Sequence, residues 1–361
     1  MRKIMSVRKE IRDLWLRQAT TFGCGICYCN QVRICRNLQG YPFPIKASSA
    51  DRQAISLKIQ KALSHFITSK RDWGFIHWNT CTDSERQIVK RLCDLEFPCE
   101  ETVVIFNKTK YGMFVINDGD ALKIQEIKNH PVDFLWHWMN EVDDKLQEYL
   151  PYAFDPEKGY ATSSPSNYGS GLDIRAYVHI PALCFKQKLL QIQDALKVMQ
   201  LRMDAVEVIE DKILGHQFYV TNTVAQGCSE EELLKHVDAA AQDIAKQEEA
   251  LRVELWQDDN NFMRDSIARA LGVLKSCYEL SFEEGMNLIS VALMGMDMGI
   301  VPKEDRFDLV CLWRMMPREL LCEFCHKRFA SLSEKEIRAF TMHDYFDECD
   351  RDLIEEVHYV S

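Results

Sequence analysis

Hydrophobic and polar positions along this chain change their spacing at about residue 228. Before that point, apolar residues form short alternating runs that are typical of strands; Ile174–Ile180, for example, places Ile174, Ala176 and Val178 on one face. The linker Lys-Thr-Lys-Tyr between two such runs indicates a hairpin. The pattern predicts strands at Thr102–Asn107, Gly112–Ile116, Ala121–Ile127, Ile174–Ile180 and Phe218–Thr223, and a helix over His130–Leu150.

After residue 228 the apolar spacing becomes helical. Capping boxes begin at Ser229, Ser281 and Ser333, and the helix that follows Ser281 is predicted to end at Met298 with Gly299 as its cap. A polar break at residues 257–261 separates the two patterns. We therefore predict an α+β fold with an antiparallel sheet flanked by helices in residues 1–256, and an all-helical C-terminal domain in residues 257–361.

The bulk properties exclude several classes of protein. The net charge of −11 argues against nucleic-acid binding, which usually needs a basic face. No apolar run reaches the roughly 20 residues that span a bilayer. The N-terminus lacks the apolar core of a signal peptide and fits a short amphipathic helix with Ile4, Val7, Ile11 and Leu14 on one stripe. These features predict a cytoplasmic protein that contacts neither membrane nor nucleic acid.

Two cysteine clusters are candidates for a metal site. Cys24, Cys27 and Cys29 lie near one end of the chain, and Cys322, Cys325 and His326 near the other. Each supplies at best half of a tetrahedral zinc site, and the two lie in different predicted domains. Incidental thiols are the favoured interpretation, with zinc and redox chemistry as alternatives, so no metal site is predicted.

The most informative segment is residues 158–183, K-G-Y-A-T-S-S-P-S-N-Y-G-S-G-L-D-I-R-A-Y-V-H-I-P-A-L. It resembles the active-site segment of the phosphagen (guanidino) kinases, and most closely that of the bacterial protein-arginine kinases, which reads roughly G-Y-L-T-S-C-P-T-N-x-G-T-G-L-R-A-S-V. The reactive cysteine of that family falls on Ser164, and a phosphate-binding arginine falls on Asp173. Arg175, two residues further on, offers a partial replacement. The residues that shape the family's segment are matched in this chain, while the residues that carry its chemistry are replaced.

Other family motifs are eroded in the same way. The S-S-R-x-R-x-x-R-N-L motif aligns with residues 29–38, so Gln31 replaces the first phosphate arginine and Arg33 keeps the second. The N-E-E-D-H-x-R-I motif aligns with residues 117–124, where Gly119 replaces the carboxylate that orients the substrate guanidinium and Lys123 replaces an arginine. Asp118 and Asp120 should point the other way if this segment remains a strand, and an Asn-Asp-Gly turn is the alternative.

The R-G-x-x-G-E loop of the family has no counterpart, and Asp204 lies near its missing arginine. In the tail, residues 281–301 resemble the C-terminal domain of the protein-arginine kinases. The R-D-x-x-R-A motif of that domain retains at most its final Arg-Ala, at Arg338 and Ala339.

We therefore interpret the chain as a degenerate member of this family, a pseudokinase with a regulatory or scaffolding role. The alternative is an active ATP-dependent protein arginine kinase with relocated catalytic residues. No cofactor is expected under the first interpretation and Mg-ATP under the second, with Arg33, Lys123 and Arg175 as candidate nucleotide-binding residues. The resemblance also implies a homodimer formed through the helical tail and a small zinc-binding activator protein as partner. The methionine-rich helix 282–298 fits either that dimer surface or a core within the chain. If the helical tail is the interaction surface, a chain that lacks residues 258–361 should lose dimerisation while its sheet domain still folds.

Overall fold

The computed structural model describes residues 8–19, 23, 25–67, 69–258, 260–301, 306–325 and 332–346. Within them the chain forms a large antiparallel sheet with helices on both faces and a helical tail. The strands are β1 (Cys27–Arg36), β2 (Trp73–His77), β3 (Pro98–Asn107), β4 (Met113–Asp118), β5 (Asp120–Lys128), β6 (Phe154–Asp155), β7 (Gly159–Tyr160), β8 (Leu172–His179), β9 (Leu201–Ala205), β10 (Val208–Ile209), β11 (Lys212–Ile213) and β12 (Gln217–Asn222).

The helices cover the sheet and build the tail. They are α1 (Lys9–Ala19), α2 (Ser49–Leu63), α3 (Asp83–Cys93), α4 (Val132–Gln147), α5 (Pro181–Phe185), α6 (Leu189–Val198), α7 (Glu230–Asp258), α8 (Asn260–Ser276), α9 (Phe282–Asp297), α10 (Arg306–Met315), α11 (Arg318–Cys325) and α12 (Glu334–Phe346). Short 3-10 turns lie at Lys70–Asp72, Trp78–Thr80 and Pro165–Asn167. None of the described helices is long and apolar enough to cross a membrane.

The large sheet has eight strands in the order β2-β3-β4-β5-β1-β8-β12-β9, so β1 lies near its centre. All five strands predicted from the sequence are present, as β3, β4, β5, β8 and β12, and the predicted helix is α4. The predicted α+β architecture is thus confirmed. The motif segment that carries Arg33 forms β1, which is antiparallel to both β5 and β8.

One face of the sheet is apolar and packs under α2, α4 and α7. The alternation predicted for β8 places Ile174, Ala176 and Val178 in this core, each at most 1% exposed. They pack with Val32 and Ile34 of β1. Because side chains alternate along a strand, the intervening residues of β1 and β8 project to the opposite face.

The opposite face is apolar at the β2–β4 end, where the tail covers it. Phe106 and Met113 of the sheet pack in one core with α1, α3 and the tail helices. Met286, Met294 and Met296 of α9 are at most 3% exposed. The methionine-rich helix therefore contributes to a core within the chain. The tail and the sheet share that core across the predicted boundary at residue 256.

Helix termini follow the sequence signals closely. The Ser229 and Ser333 capping boxes form both of their hydrogen bonds, and Ser281 accepts from the backbone nitrogen of Glu284 at 3.1 Å. Gly299 follows α9 with φ of +72°, a backbone conformation that glycine adopts without strain. In the N-terminal helix, Ile11 and Leu14 are buried as predicted, whereas residues 4 and 7 lie outside the described residues.

Candidate functional site

The candidate phosphate-site residues lie on the polar face of the sheet, at its centre. Arg33 of β1 stands opposite Asp173 of β8, and Gln31 stands opposite Arg175. Lys123 of β5 reaches the same cluster, because its Nζ lies 2.8 Å from Asp118 and 4.0 Å from the carboxylate of Glu96, which also binds Arg33. The fold therefore brings together positions that are up to 140 residues apart in the sequence.

Arg33 is 1% exposed, and its guanidinium is surrounded by acceptors. Its Nη2 donates to Asp94 at 2.7 Å, and its Nη1 donates to Glu96 and to Asp173, each at 3.1 Å. The remaining Nε donates to Gln125 at 3.1 Å. Burial by itself would lower the pKa of Arg33, but Asp94 and Asp173 raise it above its ordinary value. Arg33 is thus a fully engaged cation.

Arg175 is bound by the same two aspartates. Its Nη1 donates to Asp94 at 2.5 Å and its Nη2 to Asp173 at 3.2 Å, while its guanidinium lies 4.9 Å from the ring centre of Tyr219. Burial would raise the pKa of Asp173, but Arg175 and Arg33 lower it below its ordinary value, which keeps the carboxylate ionised. Arg175 therefore neutralises Asp173. The sequence suggested Arg175 as a partial replacement for the lost phosphate-binding arginine, but its guanidinium binds the chain's own carboxylates.

Gln31 and Lys123 also have partners within the chain. Gln31 is 4% exposed, and its Oε1 accepts a hydrogen bond from the hydroxyl of Tyr177 at 2.7 Å. Lys123 is 2% exposed and pairs with the fully buried Asp118. Each of the predicted cations Arg33, Lys123 and Arg175 consequently has a carboxylate within 3.2 Å.

Gly119 connects β4 to β5 in a tight hairpin, in which Asp118 pairs directly with Asp120. The backbone at Gly119 has φ of +74°, as the turn alternative requires. The expectation that both neighbours point away from the site applied to an uninterrupted strand. The segment instead turns at Gly119, and the carboxylate of Asp118 binds Lys123. Asp120 instead accepts from the backbone and side chain of Ser163 at 2.6 and 2.9 Å.

Ser164 lies at the start of the 3-10 turn Pro165–Asn167, next to that hairpin. Its hydroxyl is 2.8 Å from that of Ser166. A Cβ at Gly119 would lie 3.2 Å from the hydroxyl of Ser163. The structure thus brings positions 119 and 163–164 together as the resemblance implies, with a turn and hydroxyl groups where the family has a carboxylate and a thiol.

Asp204 lies away from the cluster, on the edge strand β9. It is opposite Tyr219 and pairs with Arg202 at 2.6 Å near the surface. The following residues form the β10–β11 ribbon, in which Val208 pairs with Ile213 and Ile209 with Lys212. This ribbon is attached to the tail, because the backbone nitrogen of Gly215 donates to Asn287 at 2.8 Å and Lys212 pairs with Glu283.

Arg338, the remnant of the C-terminal motif, serves the tail's own structure. It is 4% exposed, and its Nε donates to the backbone oxygen of Met316 at 3.1 Å. Its Nη2 lies 3.5 Å from Glu334 of the same helix. The guanidinium therefore caps α10 and braces α12.

Asp94 and Glu96 are the members of this ion-pair cluster that the sequence interpretation missed. Asp94 ends α3 in a left-handed conformation with φ of 50°, which Asp tolerates better than most residues. A local signal was present, since an Asp-x-Glu pair directly follows a helix that ends without glycine. The spacing of 61 residues from Arg33 to Asp94 gave no indication of contact.

A cavity of about 510 Å³ adjoins the cluster, between the polar face of the sheet, α3 and the tail helices. Gln31, Arg175 and Tyr177 line it on the sheet side. On the other side Arg91 pairs with Glu207 and with Glu319. Two cations of the cavity walls, Arg175 and Arg91, are thus balanced by neighbouring carboxylates.

The described cysteines form no metal site. Cys27 donates to a backbone oxygen of α7 at 3.5 Å, and burial raises its pKa to about 11. Cys29 packs with Tyr177, and burial raises its pKa as well. Among the described residues no group of three or more His, Cys, Asp or Glu side chains is arranged to hold a metal ion. Cys24, His326 and the side chains of Cys322 and Cys325 lie outside what is described.

Comparison with known families gives two adjoining matches. The profile described as ATP:guanido phosphotransferase, C-terminal catalytic domain, matches residues 54–251. The profile described as Protein-arginine kinase McsB C-terminal domain matches residues 260–356. The first match ends within α7, and the second begins at the first residue of α8.

Individual relatives agree with these matches. The chain is 27% identical over 321 residues to the protein-arginine kinase of Clostridium acetobutylicum, covering 87% of this chain and 94% of that protein. It is 30% identical over 283 residues to the protein-arginine kinase of Pelotomaculum thermopropionicum, covering 76% and 80%.

Among solved structures, lombricine kinase is similar with a TM-score of 0.54 at 16% identity, covering 66% of this chain and 71% of that chain. The duplicated taurocyamine kinase from Schistosoma mansoni with bound transition state analog components has a TM-score of 0.55 at 16% identity, covering 76% of this chain and 41% of that chain. At these identities the likeness supports the fold.

Proposed function

Because this chain belongs to the ATP:guanido phosphotransferase family, we propose that it is a catalytically degenerate protein-arginine-kinase-like protein that acts as a regulatory or scaffolding module. The observation that carries the proposal is the engagement of Arg33 and Arg175 by Asp94, Glu96 and Asp173. Phosphoryl transfer depends on cations that are free to neutralise phosphate charge. Here those cations are already neutralised by the chain.

The charge balance of the site supports this proposal. Arg33, Lys123 and Arg175 supply three positive charges, whereas Asp94, Glu96, Asp118 and Asp173 supply four negative charges, which gives a net charge of −1. Two unit charges about 4 Å apart at an effective dielectric of about 20 interact by about 4 kcal/mol. A triphosphate would therefore have to displace carboxylates or tolerate their repulsion.

The missing substrate carboxylate supports it further. Gly119 has no side chain with which to orient a guanidinium, and the carboxylates on either side of it bind Lys123 and Ser163. A general base must reach the proton that it removes, and neither aspartate is free to do so.

The alternative function, an active protein arginine kinase, is favoured by the relatives. They carry that name and match the chain over most of its length. Under this alternative a nucleotide would displace Asp94 and Glu96, and a carboxylate elsewhere in the site would hold the substrate guanidinium.

Thermal unfolding of the full-length protein with and without millimolar Mg-ATP separates the two. A ligand present at about 100 times its dissociation constant stabilises a protein by about 2.7 kcal/mol, enough to raise the melting temperature by several degrees. We expect no shift and no phosphorylation of arginine-rich protein, with the Clostridium acetobutylicum kinase as positive control. An ATP-dependent shift would contradict the argument from charge, and phosphoryl transfer to arginine would establish the alternative.

The quaternary state is a second part of the proposal. A homodimer and a small zinc-binding activator protein are carried over from the family resemblance. Light scattering at tens of micromolar tests the dimer. A monomer at that concentration would exclude it and leave a different protein as the partner of the tail.

A further inference from the structure

Residues 94–97, here called the acidic loop, follow α3 directly and cross the polar face of the sheet. Asp94 accepts hydrogen bonds from two guanidinium groups at once, from Arg33 at 2.7 Å and from Arg175 at 2.5 Å. Glu96 binds Arg33 at 3.1 Å and lies 4.0 Å from Lys123. The two carboxylates thus contact all three candidate nucleotide-binding cations, as a bound anion would.

The acidic loop is fixed to the sheet by its backbone as well. Asp118, which is fully buried, accepts from the backbone nitrogens of Glu96 at 3.2 Å and of Phe97 at 2.7 Å. The same carboxylate binds Lys123 at 2.8 Å. One buried aspartate therefore holds both the loop and a cation that the loop approaches.

The helix before the loop is clamped in turn. Arg91, in the last turn of α3, pairs with Glu319 of α11 and with Glu207 beside the β10–β11 ribbon. The last turn of α3, which carries Arg91, therefore connects the acidic loop to the tail.

The loop nevertheless lies at the surface. The side chains of Asp94 and Glu96 are 42% and 41% exposed, and Phe97 is 53% exposed. Asp173, in contrast, has a side chain that is 12% exposed on a central strand. Water reaches the loop carboxylates. Another anion can therefore replace them on Arg33, Arg175 and Lys123 without opening of the core.

We propose that the acidic loop is an autoinhibitory latch, whose two carboxylates occupy an anion site formed by Arg33, Arg175 and Lys123 and keep phosphate-bearing ligands out. The proposal rests on the proposed function, in which the resting site does not take nucleotide, and adds how the site is closed. Withdrawal of the loop removes two negative charges and changes the net charge of the cluster from −1 to +1. Asp173 and Asp118 remain with their cations in the open state.

Inorganic pyrophosphate is the probe, because it carries the phosphate charge without a base or a sugar. Its binding to the full-length protein is measured by titration calorimetry for the wild type, for Asp94→Asn with Glu96→Gln, and for Glu96→Gln alone. The control is Asp83→Asn with Glu100→Gln, which removes the same charge from the start of α3 and from a side chain that is 62% exposed and paired with Arg86. Circular dichroism and the melting temperature of each variant establish that it is folded.

We expect the wild type and the control to bind pyrophosphate weakly, and the double loop variant to bind it about tenfold more tightly or better. Glu96→Gln, at an exposed position, should give a smaller gain in the same direction. A folded loop variant that binds no more tightly than the control overturns the latch. Mg-ATP binding to the wild type overturns the proposed function instead, so the two failures are distinguishable.

Discussion

Arg33 and Asp173 face each other across the β1–β8 pair, and their side chains form an ion pair at 3.1 Å. Both side chains are largely buried, at 1% and 12% exposure. By resemblance, one position keeps a phosphate-binding arginine and the other has lost one to a carboxylate. The substitution therefore does more than remove a cation, because the new carboxylate also neutralises the cation that remains.

Replacement of Arg33 by methionine should destabilise the fold strongly. The change leaves Asp173 and Asp94 with one guanidinium in place of two, and removal of one member of a buried pair typically costs about 3–5 kcal/mol. Because Asp94 is 42% exposed, we expect the lower end of that range. Urea denaturation measures it.

Arg202→Met is the matched control, since Arg202 forms an ion pair with Asp204 at 2.6 Å but its side chain is 48% exposed. Exposed pairs contribute about 0–1 kcal/mol. If both variants lose the same stability, Arg33 does not hold the site together.

Restoring the family's carboxylate by Gly119→Glu should not restore activity. The backbone φ of +74° disfavours a side chain, and the new Cβ would lie 3.2 Å from the Ser163 hydroxyl and 3.3 Å from Phe97. We expect a loss of about 1–3 kcal/mol and kinase activity at background. Gly40→Glu, at φ of +82° with open space around its Cβ, isolates the backbone contribution. Arginine phosphorylation by the Gly119→Glu variant would contradict the argument that the neutralised cations cannot serve phosphoryl transfer.

The fold was largely predictable because its signals are local. The alternation in β8 and the capping serines at 229 and 333 each specify their own element within a few residues. The β1 segment shows a motif in the sequence but no alternating strand pattern, because nearly all of its residues, polar ones included, are buried on a central strand. The alternation of buried and exposed residues disappears on β1, because ion pairs bury its polar face as well.

The candidate site was only half predictable. Motif alignment located the cations Arg33, Lys123 and Arg175, but their partners Asp94 and Glu96 come from a loop that no motif marks. Ion-pair partners brought together by tertiary folding leave no periodic signal in the sequence. Only the structure therefore shows that Asp94 and Glu96 occupy the cations of the site.

Removal of residues 258–361 should unfold the remaining chain. The sequence suggested an independent sheet domain, but Phe106 and Met113 of the sheet share a core with α3 and the tail. Loss of the tail exposes this apolar face to water. We expect the full-length protein to melt in one cooperative transition and the truncated chain to aggregate or lack near-UV circular dichroism. A truncated chain with a cooperative melt of its own would support the independent domain.

The attachment of the tail should weaken in mild acid through His216. Its Nδ1 lies 2.8 Å from the hydroxyl of Ser290 on α9, and Ser290 lies 2.8 Å from Nε2 of His179. The ring of Phe185 packs against His216 at 5.4 Å. Burial lowers the pKa of His216 to about 4, so the folded protein keeps this imidazole neutral where the unfolded chain protonates it.

The sign of the pH effect follows from this difference in pKa. Above a pH of about 6.5 the histidine is neutral in both states and its contribution to stability is complete. As the pH falls from about 6.5 to about 4, the unfolded chain gains a proton that the folded chain does not, at a cost of at most about 3 kcal/mol. Urea denaturation of the wild type and of His216→Gln at several pH values in this window isolates the effect, because the carboxylates titrate alike in both. His236→Gln, exposed on α7, is the control and should keep the wild-type pH dependence. If His216→Gln keeps it too, protonation of this histidine does not govern the docking of the tail.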